Sequence, residues 1–404
     1  MKLTRRQAMA ALAAVAASMN LRGSEPSDQD ATVRGDTDFA LDLYGILRGQ
    51  EGNLFLSPYS ITSALAMTLL GARGNTADEM VKTLHLSLPS DRLHDTYGRR
   101  LRGYNAVGGK RPYQLSIANA LWGQKGMQWR RPFIEAAATH YKAKHQEVDF
   151  VGATEKARVT INDWVEEQTQ KKIKDLLKPG ILNALTRMVL TNAIYFKGTW
   201  VWRFDPKRTT DGVFFINEAK RVDAKLMTQK STFKYMQTEQ MQAVELPYAG
   251  KELSMVVILP RKRDGLPDLE RGLTRMKLSD WMTRMSPMGD LSVTLPRFKI
   301  TAEFSLKDTL SKLGMKDAFS PGKCDLSGMA GNPGELFLSE VIHKAFVEVN
   351  EEGTEAAAAT AVVVKTLSKV STPVFRADHP FLFAIRETNT GAILFMGRLN
   401  DPTA

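Results

Sequence analysis

Hydrophobic periodicity divides the chain into two halves of different character. In the first half, apolar residues recur at steps of three and four, which place them on one face of a helix. This pattern predicts helices over residues 39–47, 60–70, 76–84, 91–104, 131–141 and 153–169.

The second half carries short β-branched or aromatic runs bounded by Gly, Pro or Asn, which are typical of strands. They predict strands over residues 188–196, 242–247, 253–259, 291–300, 345–349, 380–386 and 392–399. Helices early and strands late indicate a mixed α+β fold rather than a winding of β-α-β units.

The N-terminus carries Arg5 and Arg6 ahead of an Ala-rich apolar run, residues 8–17, which is too short to span a bilayer. This arrangement predicts an export signal over residues 1–18, of the twin-arginine type, and therefore a periplasmic or extracellular bacterial protein. The alternative is a short N-terminal helix that stays on the protein.

The segment after this run is rich in Gly, Ser and acidic residues, which predicts a flexible linker over residues 19–37. No repeat, Pro-rich break or shift of composition follows. Residues 38–404 are therefore predicted to form a single domain.

Composition and charge then narrow the classes of protein. The 404 residues are 43% hydrophobic and include one cysteine, Cys324, so a large core is expected without an internal disulfide or a Cys-based zinc or iron-sulfur site. The net charge is +11, of which a cleaved signal would remove three positive charges.

Basic residues cluster only in short stretches, so nucleic-acid binding is not predicted. Arg99, Arg100 and Arg102, on the predicted helix 91–104, are the candidate for a strip that binds a polyanion.

Catalytic signatures are absent from the sequence: it contains no nucleophile elbow, phosphate-binding glycine loop or zinc-protease motif. Its six histidines are scattered rather than spaced as metal ligands. We therefore expect no enzyme activity, no metal, no cofactor and no membrane partner, and a hydrolase with an unrecognised site is kept as a separate hypothesis.

The most informative stretch begins at Glu351. If it is read as a strand, the even positions of residues 354–366 are all small or β-branched and uncharged, while Glu355 and Lys365 both fall on the odd face. This pattern predicts a strand able to bury one face. An Ala-rich helix capped by Thr354 is the alternative.

This stretch resembles the hinge of the inhibitory serpins, which are serine protease inhibitors. Further segments resemble serpin segments in serpin order, including residues 53–61, 191–200, 245–248, 295–298, 325–329, 340–345, 379–383 and 395–398. The resemblance covers residues 39–402. It implies the serpin fold, with three β-sheets, about nine helices and an exposed reactive-centre loop.

The resemblance also assigns roles to residues. It implies a shutter of polar residues beneath the main sheet, Ser57, Ser60, Asn192 and His343, and a pair at the top of that sheet, Arg297 and Glu351. The implied hinge consists of Glu351, Glu352, Gly353, Thr354, Glu355, Ala356, Ala357, Ala358, Ala359 and Thr360.

Finally, the resemblance implies a monomeric suicide substrate. A serine protease, with cysteine proteases as a second class, would cut the loop and be held as an acyl-enzyme while Thr354 onward enters the main sheet. The family's hinge length puts the scissile bond at Leu367-Ser368, with Lys365 or Lys369 before the bond as alternatives. Leu367 favours chymotrypsin-, elastase- or subtilisin-like targets, whereas a lysine favours trypsin-like ones. The alternative function is a non-inhibitory serpin that binds polyanions or carries a ligand.

Overall fold

The computed structural model describes residues 27–104, 112–143, 145–354 and 373–404. Helices gather in the first half of this part of the chain, as the periodicity predicts. Nine α-helices lie within the described residues: α1 Asp28–Leu47, α2 Pro58–Leu69, α3 Gly74–Thr83, α4 Ser90–Tyr104, α5 Arg131–Tyr141, α6 Thr154–Gln168, α7 Leu266–Arg271, α8 Arg275–Arg284 and α9 Lys307–Leu313.

Strands dominate from Met188 onward. The strands of the described residues are β1 Leu54–Leu56, β2 Tyr113–Gln124, β3 His145–Val148, β4 Met188–Thr199, β5 Thr210–Phe215, β6 Arg221–Gln237, β7 Met241–Pro247, β8 Leu253–Pro260, β9 Ser286–Pro296, β10 Phe298–Ser305, β11 Glu340–Val349, β12 Gly353–Thr354, β13 Val374–Arg376, β14 Phe381–Glu387 and β15 Ile393–Leu399.

Nine strands form one continuous hydrogen-bonded sheet in the order β1-β15-β14-β8-β7-β6-β9-β13, with β5 also paired to β6. The 17-residue strand β6 joins its two parts: the first half pairs with β5, and the second half pairs with β7. The pairing of β6 with β9 shifts register between Ser231 and Phe233. Hydrogen bonding thus links two of the three expected sheets through β6.

The other six strands form the sheet that matters most for function, in the order β10-β11-β12-β4-β2-β3. Strands β4 and β11 run parallel, and the two-residue strand β12 is antiparallel to both. Helix α2 packs behind β4, and a second apolar cluster that includes Trp122, Ile161 and Val165 seats α6 on the same sheet. This sheet is therefore covered on both faces.

Helix α1 corrects the linker prediction. Residues 28–37 belong to this helix, and Ser27 caps it through a reciprocal capping box with Asp30. Asp36 is one of the acidic residues behind that prediction, but its carboxylate is buried in an ion pair with Arg100 of α4, with 2.7 Å between Oδ2 and Nη1. The charge that indicated a loop is neutralised by a partner 64 residues away.

A second correction concerns the strand predicted over residues 291–300. The chain crosses between sheets at Arg297: β9 lies in the larger sheet and β10 in the smaller one. Both halves are apolar, so the pattern alone does not reveal the break. Among the helices of the described residues, none is both long enough and apolar enough to cross a membrane.

Candidate functional site

The six-stranded sheet is closed at one end and parted at the other. Strands β11 and β4 pair directly from Glu340 with Val189 to Phe346 with Tyr195. Beyond these residues the two strands separate, and Thr354 lies between Val349 of β11 and Gly198 of β4. The first residues of the predicted hinge therefore occupy the opening.

Gly353 fits this opening because it lacks a side chain. Its φ is +154°, and an added Cβ would lie 1.9 Å from the carbonyl oxygen of Gly198. Gly198 is also crowded, since a Cβ there would come within 2.7 Å of the ring of Phe196. Gly353 lies opposite Thr199 and Gly198 lies opposite Thr354, and these two glycines allow the backbone of the hinge to approach β4 closely.

Thr354 is fully buried in the opening and shares a hydrogen bond with the buried Tyr248 hydroxyl, with 2.8 Å between the two oxygens. The ring of Tyr248 stacks on Trp200 with centroids 4.5 Å apart. Trp200 holds the preceding residues: its backbone N–H donates to the carbonyl of Glu352 at 2.8 Å, and its indole N–H donates to the carbonyl of Asn350 at 3.1 Å.

Tyr248 and Trp200 belong to segments that resemble the family, but no pattern in the sequence marks them as contacts of the hinge. An isolated aromatic residue at the end of a strand is typical of an ordinary core position. Their contribution depends on how β4 and the end of β7 meet, and the sequence carries no signal of that.

Arg297 and Glu351 meet beside the opening. The guanidinium binds the carboxylate at two positions, Nη2 to Oε1 at 2.5 Å and Nε to Oε2 at 2.9 Å, and Thr209 donates to the same carboxylate. Burial raises the pKa of Glu351, but the hydrogen bonds from Arg297 and Thr209 outweigh it and hold the pKa below its usual value. Glu351 is therefore ionised at neutral pH.

The shutter residues lie together lower on the same strands. The Nδ2 of Asn192 donates to the Ser60 hydroxyl at 2.6 Å, and the Ser57 hydroxyl donates to the carbonyl of Leu394 at 2.6 Å. The side chains of Asn192 and His343, which face each other across β4 and β11, are hydrogen-bonded through Oδ1 and Nδ1. The shutter thus ties both strands to the start of α2.

His343 is neutral in this setting. The backbone N–H of Ser57 donates to Nε2 at 3.1 Å, so Nδ1 carries the proton and donates to Asn192. Burial lowers the pKa of His343 to about 3, although the contact with Asn192 opposes the shift. The imidazole therefore acts as a structural donor and acceptor between two strands.

The predicted polyanion strip is not a continuous surface. Arg100 points inward: its side chain is 4% exposed and pairs with Asp36. Arg99 is exposed, with a 3.5 Å contact to Asp95, and Arg102 donates to the carbonyl of Thr139 at 3.3 Å. The prediction that Arg100 belongs to the strip was wrong. Adjacent residues on a helix point about 100° apart, so Arg99 faces solvent while Arg100 faces the core.

Several predicted site residues lie outside the described part of the chain: Glu355, Ala356, Ala357, Ala358, Ala359, Thr360, Lys365, Leu367, Ser368 and Lys369. Residues 1–18, the predicted signal, do so too. Where side chains are described, no group of three or more His, Cys, Asp or Glu residues is arranged to hold a metal ion.

A family model described as serpin, or serine protease inhibitor, matches residues 34–402. The chain belongs to the serpin family. Human leukocyte elastase inhibitor is 43% identical over 379 residues, which is 91% of this chain and 98% of that protein. Human Serpin B3 is also 43% identical, with the same coverage of both chains.

Solved structures agree with the family. Serpin48 of the insect Tenebrio molitor has a TM-score of 0.82 at 33% identity, and covers 94% of this chain and 100% of its own. Uncleaved ovalbumin has a TM-score of 0.83 at 30% identity, with 92% and 100% covered. The predicted α+β serpin fold is confirmed, as is serine protease inhibition. The carrier alternative is not favoured.

The predicted location is wrong. Leukocyte elastase inhibitors and Serpin B3, which this chain matches over nine-tenths of its length, are intracellular serpins that lack a signal peptide. Paired arginines and an Ala-rich run are a short pattern of common residues, which explains why it misleads.

Proposed function

We propose that this serpin traps serine proteases that have an apolar specificity pocket, through cleavage at Leu367-Ser368 and insertion of Thr354 onward into the six-stranded sheet. The protease serine attacks the carbonyl of Leu367, the bond to the nitrogen of Ser368 breaks, and that nitrogen takes up a proton. The remaining ester links the protease to Leu367. The names of the leukocyte elastase inhibitors refer to an elastase, which supports this class of target.

The observation that carries the proposal is strand β12. Gly353 and Thr354 already pair with β4, and Thr354 also pairs with β11, at the point where these strands part. Adding residues to an existing strand costs less entropy than forming its first pair, because the first pair has already brought the two chain segments together. Insertion would extend β12 down the gap and separate β11 from β4.

The register of β12 predicts which residues meet during insertion. Thr354 lies opposite Gly198 and Val349, so continuation of the strand would bring Thr360 opposite both Asn192 and His343. Directly opposite residues share a face of the sheet. The Thr360 hydroxyl would then stand between two shutter side chains that now bond each other, and it can both donate and accept.

Insertion exchanges one strand pairing for two. The seven residue pairs between β11 and β4 would be replaced by pairings of the new strand with each of them, and the uncharged even positions would face the core. Each net backbone hydrogen bond is worth about 1 kcal/mol, but ordering each inserted residue costs about 1–2 kcal/mol, so burial of side chains such as Val362 and Val364 must supply the remaining stabilisation. The intact protein is thus held away from a more stable form, and loop cleavage should raise its melting temperature.

The proposal is tested by incubation of the protein with chymotrypsin, elastase, subtilisin and trypsin. We expect a denaturant-resistant complex with the first three, and a released C-terminal peptide whose mass places its first residue at Ser368. A peptide that begins after Lys365 or Lys369, with complex only from trypsin, would move the bond and the target class. Turnover without any covalent adduct would contradict trapping.

Thr354→Arg separates cleavage from trapping. Residue 354 is fully buried between the two strands, so a guanidinium there must lose its water before any further strand bond forms. We expect cleavage at the wild-type rate and no stable complex, measured on denaturing gels. Covalent complex at wild-type yield would show that insertion at Thr354 is not what traps the protease. Thr354→Ser, which keeps the hydroxyl, is the matched control.

A further inference from the structure

The hinge is held from the side of β4 as well as by its pairing with β11. Trp200 follows β4 directly and donates both of its N–H groups to carbonyls of residues 350 and 352. Tyr248 follows β7 and forms an isolated bridge with Trp200. During insertion β11 has to leave β4, so contacts made from the β4 side can persist while the gap widens.

The ring of Tyr248 is fixed independently of the hinge. It stacks on Trp200, and it meets the edge of Phe196 with centroids 4.9 Å apart and planes at 78°. Its backbone N–H donates to the carbonyl of Leu253 at 2.9 Å. Because the ring is fully buried and held on two sides, its hydroxyl has a fixed position, which is within hydrogen-bond distance of the hydroxyl of Thr354.

We propose that Tyr248 is a positioning residue for loop insertion: its hydroxyl seats Thr354 in the opening, so that the cleaved loop extends an existing strand. This inference rests on the proposed trapping function. Without the hydroxyl of Tyr248, the hydroxyl of Thr354 is buried without a partner whenever the hinge is seated, which disfavours the seated state. More acyl-enzyme would then be hydrolysed before the loop inserts.

The decisive comparison uses Tyr248→Phe, Thr354→Val and the double variant. Both substitutions preserve shape, and each single change leaves one buried hydroxyl without a partner, whereas the double change removes both. With the protease that the wild type traps, we expect the ratio of cleaved free serpin to covalent complex to rise about tenfold in each single variant. In the double variant the ratio should return to within about twofold of wild type.

Tyr235→Phe is the matched control, because its hydroxyl bonds Gln237 and Gln242 on the larger sheet, away from the opening. The rate of loop cleavage should be the same in all variants. A general loss of packing at Tyr248 would not be rescued by Thr354→Val, so failure of the rescue overturns the inference. A wild-type ratio in Tyr248→Phe overturns it alone, whereas a wild type that forms no complex with any protease overturns the proposed function as well.

Discussion

The opening and the shutter lie on the same two strands, β4 and β11, but the strands are parted at the opening and paired at the shutter. At Gly198 and Val349 the strands are parted and Thr354 fills the space. At Asn192 and His343, six residues lower and about 20 Å along the strand, they pair directly and their side chains bond each other.

The difference lies in what occupies each position. The opening has glycines and backbone hydrogen bonds, so a second strand can approach without losing side-chain contacts. The shutter has four polar side chains that bond one another and the start of α2, and parting them leaves buried groups unpaired. In the proposed mechanism, insertion would start at the opening and the shutter would resist it.

The largest expected effect comes from removing a side chain of the shutter. His343→Ala removes the partner of both the Ser57 N–H and the Asn192 carbonyl oxygen in a fully buried site. We expect the free energy of unfolding to fall by about 2–6 kcal/mol, since each buried unpaired group costs about 1–3 kcal/mol. Urea midpoints measure this. His85→Ala, at an exposed histidine, is the control, and equal midpoints for the two variants would contradict a role for the shutter in stability.

The second-largest expected effect is a loss of folding stability in acid, caused by the shutter residue His343. The pKa of His343 is lowered from 6.5 to about 3, so the unfolded chain takes up a proton below pH 6.5 that the folded protein does not. The free energy of unfolding is therefore highest above pH 6.5 and decreases as the pH falls toward 3. Between pH 6.5 and 4.5 the loss is about 2–3 kcal/mol. His94, with a pKa lowered to about 4 by burial, adds a similar slope.

Two measurements check this pH dependence. The urea midpoint should fall between pH 6.5 and 4.5, and the fall should be about half as steep in His343→Gln. The NMR signals of the His343 ring should show the neutral form across this range in the folded protein. A ring that titrates near pH 6.5 would contradict the burial argument.

The smallest expected effect is at the opening. A double-mutant cycle with Arg297→Gln and Glu351→Gln should give a coupling of about 1 kcal/mol at pH 7, because Arg297 is 45% exposed to solvent. The pKa of Glu351 is lowered from 4.5, so the coupling is present above that pH and disappears as the pH falls through the lower folded value. The exposed pair Arg131 and Glu135 is the control. A coupling of zero at pH 7 would show that Arg297 and Glu351 do not stabilise the opening.

Much of the fold followed from periodicity. Helix α5 matches its predicted bounds, and β4, β7, β8, β14 and β15 begin within one residue of theirs. Strand β2 was not predicted, although Tyr113, Leu115 and Ile117 alternate with the polar Gln114 and Ser116 at its start. It becomes a strand because β4 pairs with it along eleven residues, from Tyr113 to Gly123. The alternation covers only the start of the strand, and the pairing with a distant segment extends it.

The sequence by itself determined the chemistry of the hinge: small uncharged residues at alternate positions, a glycine before Thr354 and polar residues at four scattered places. Tertiary structure alone decided where these meet. The parting of β11 from β4, the Tyr248 hydroxyl beside Thr354 and the burial of Arg100 against Asp36 each join residues 64 to 156 positions apart. Periodicity reports which face of an element is apolar, but contacts between distant segments depend on how those faces pack, and no local pattern encodes that.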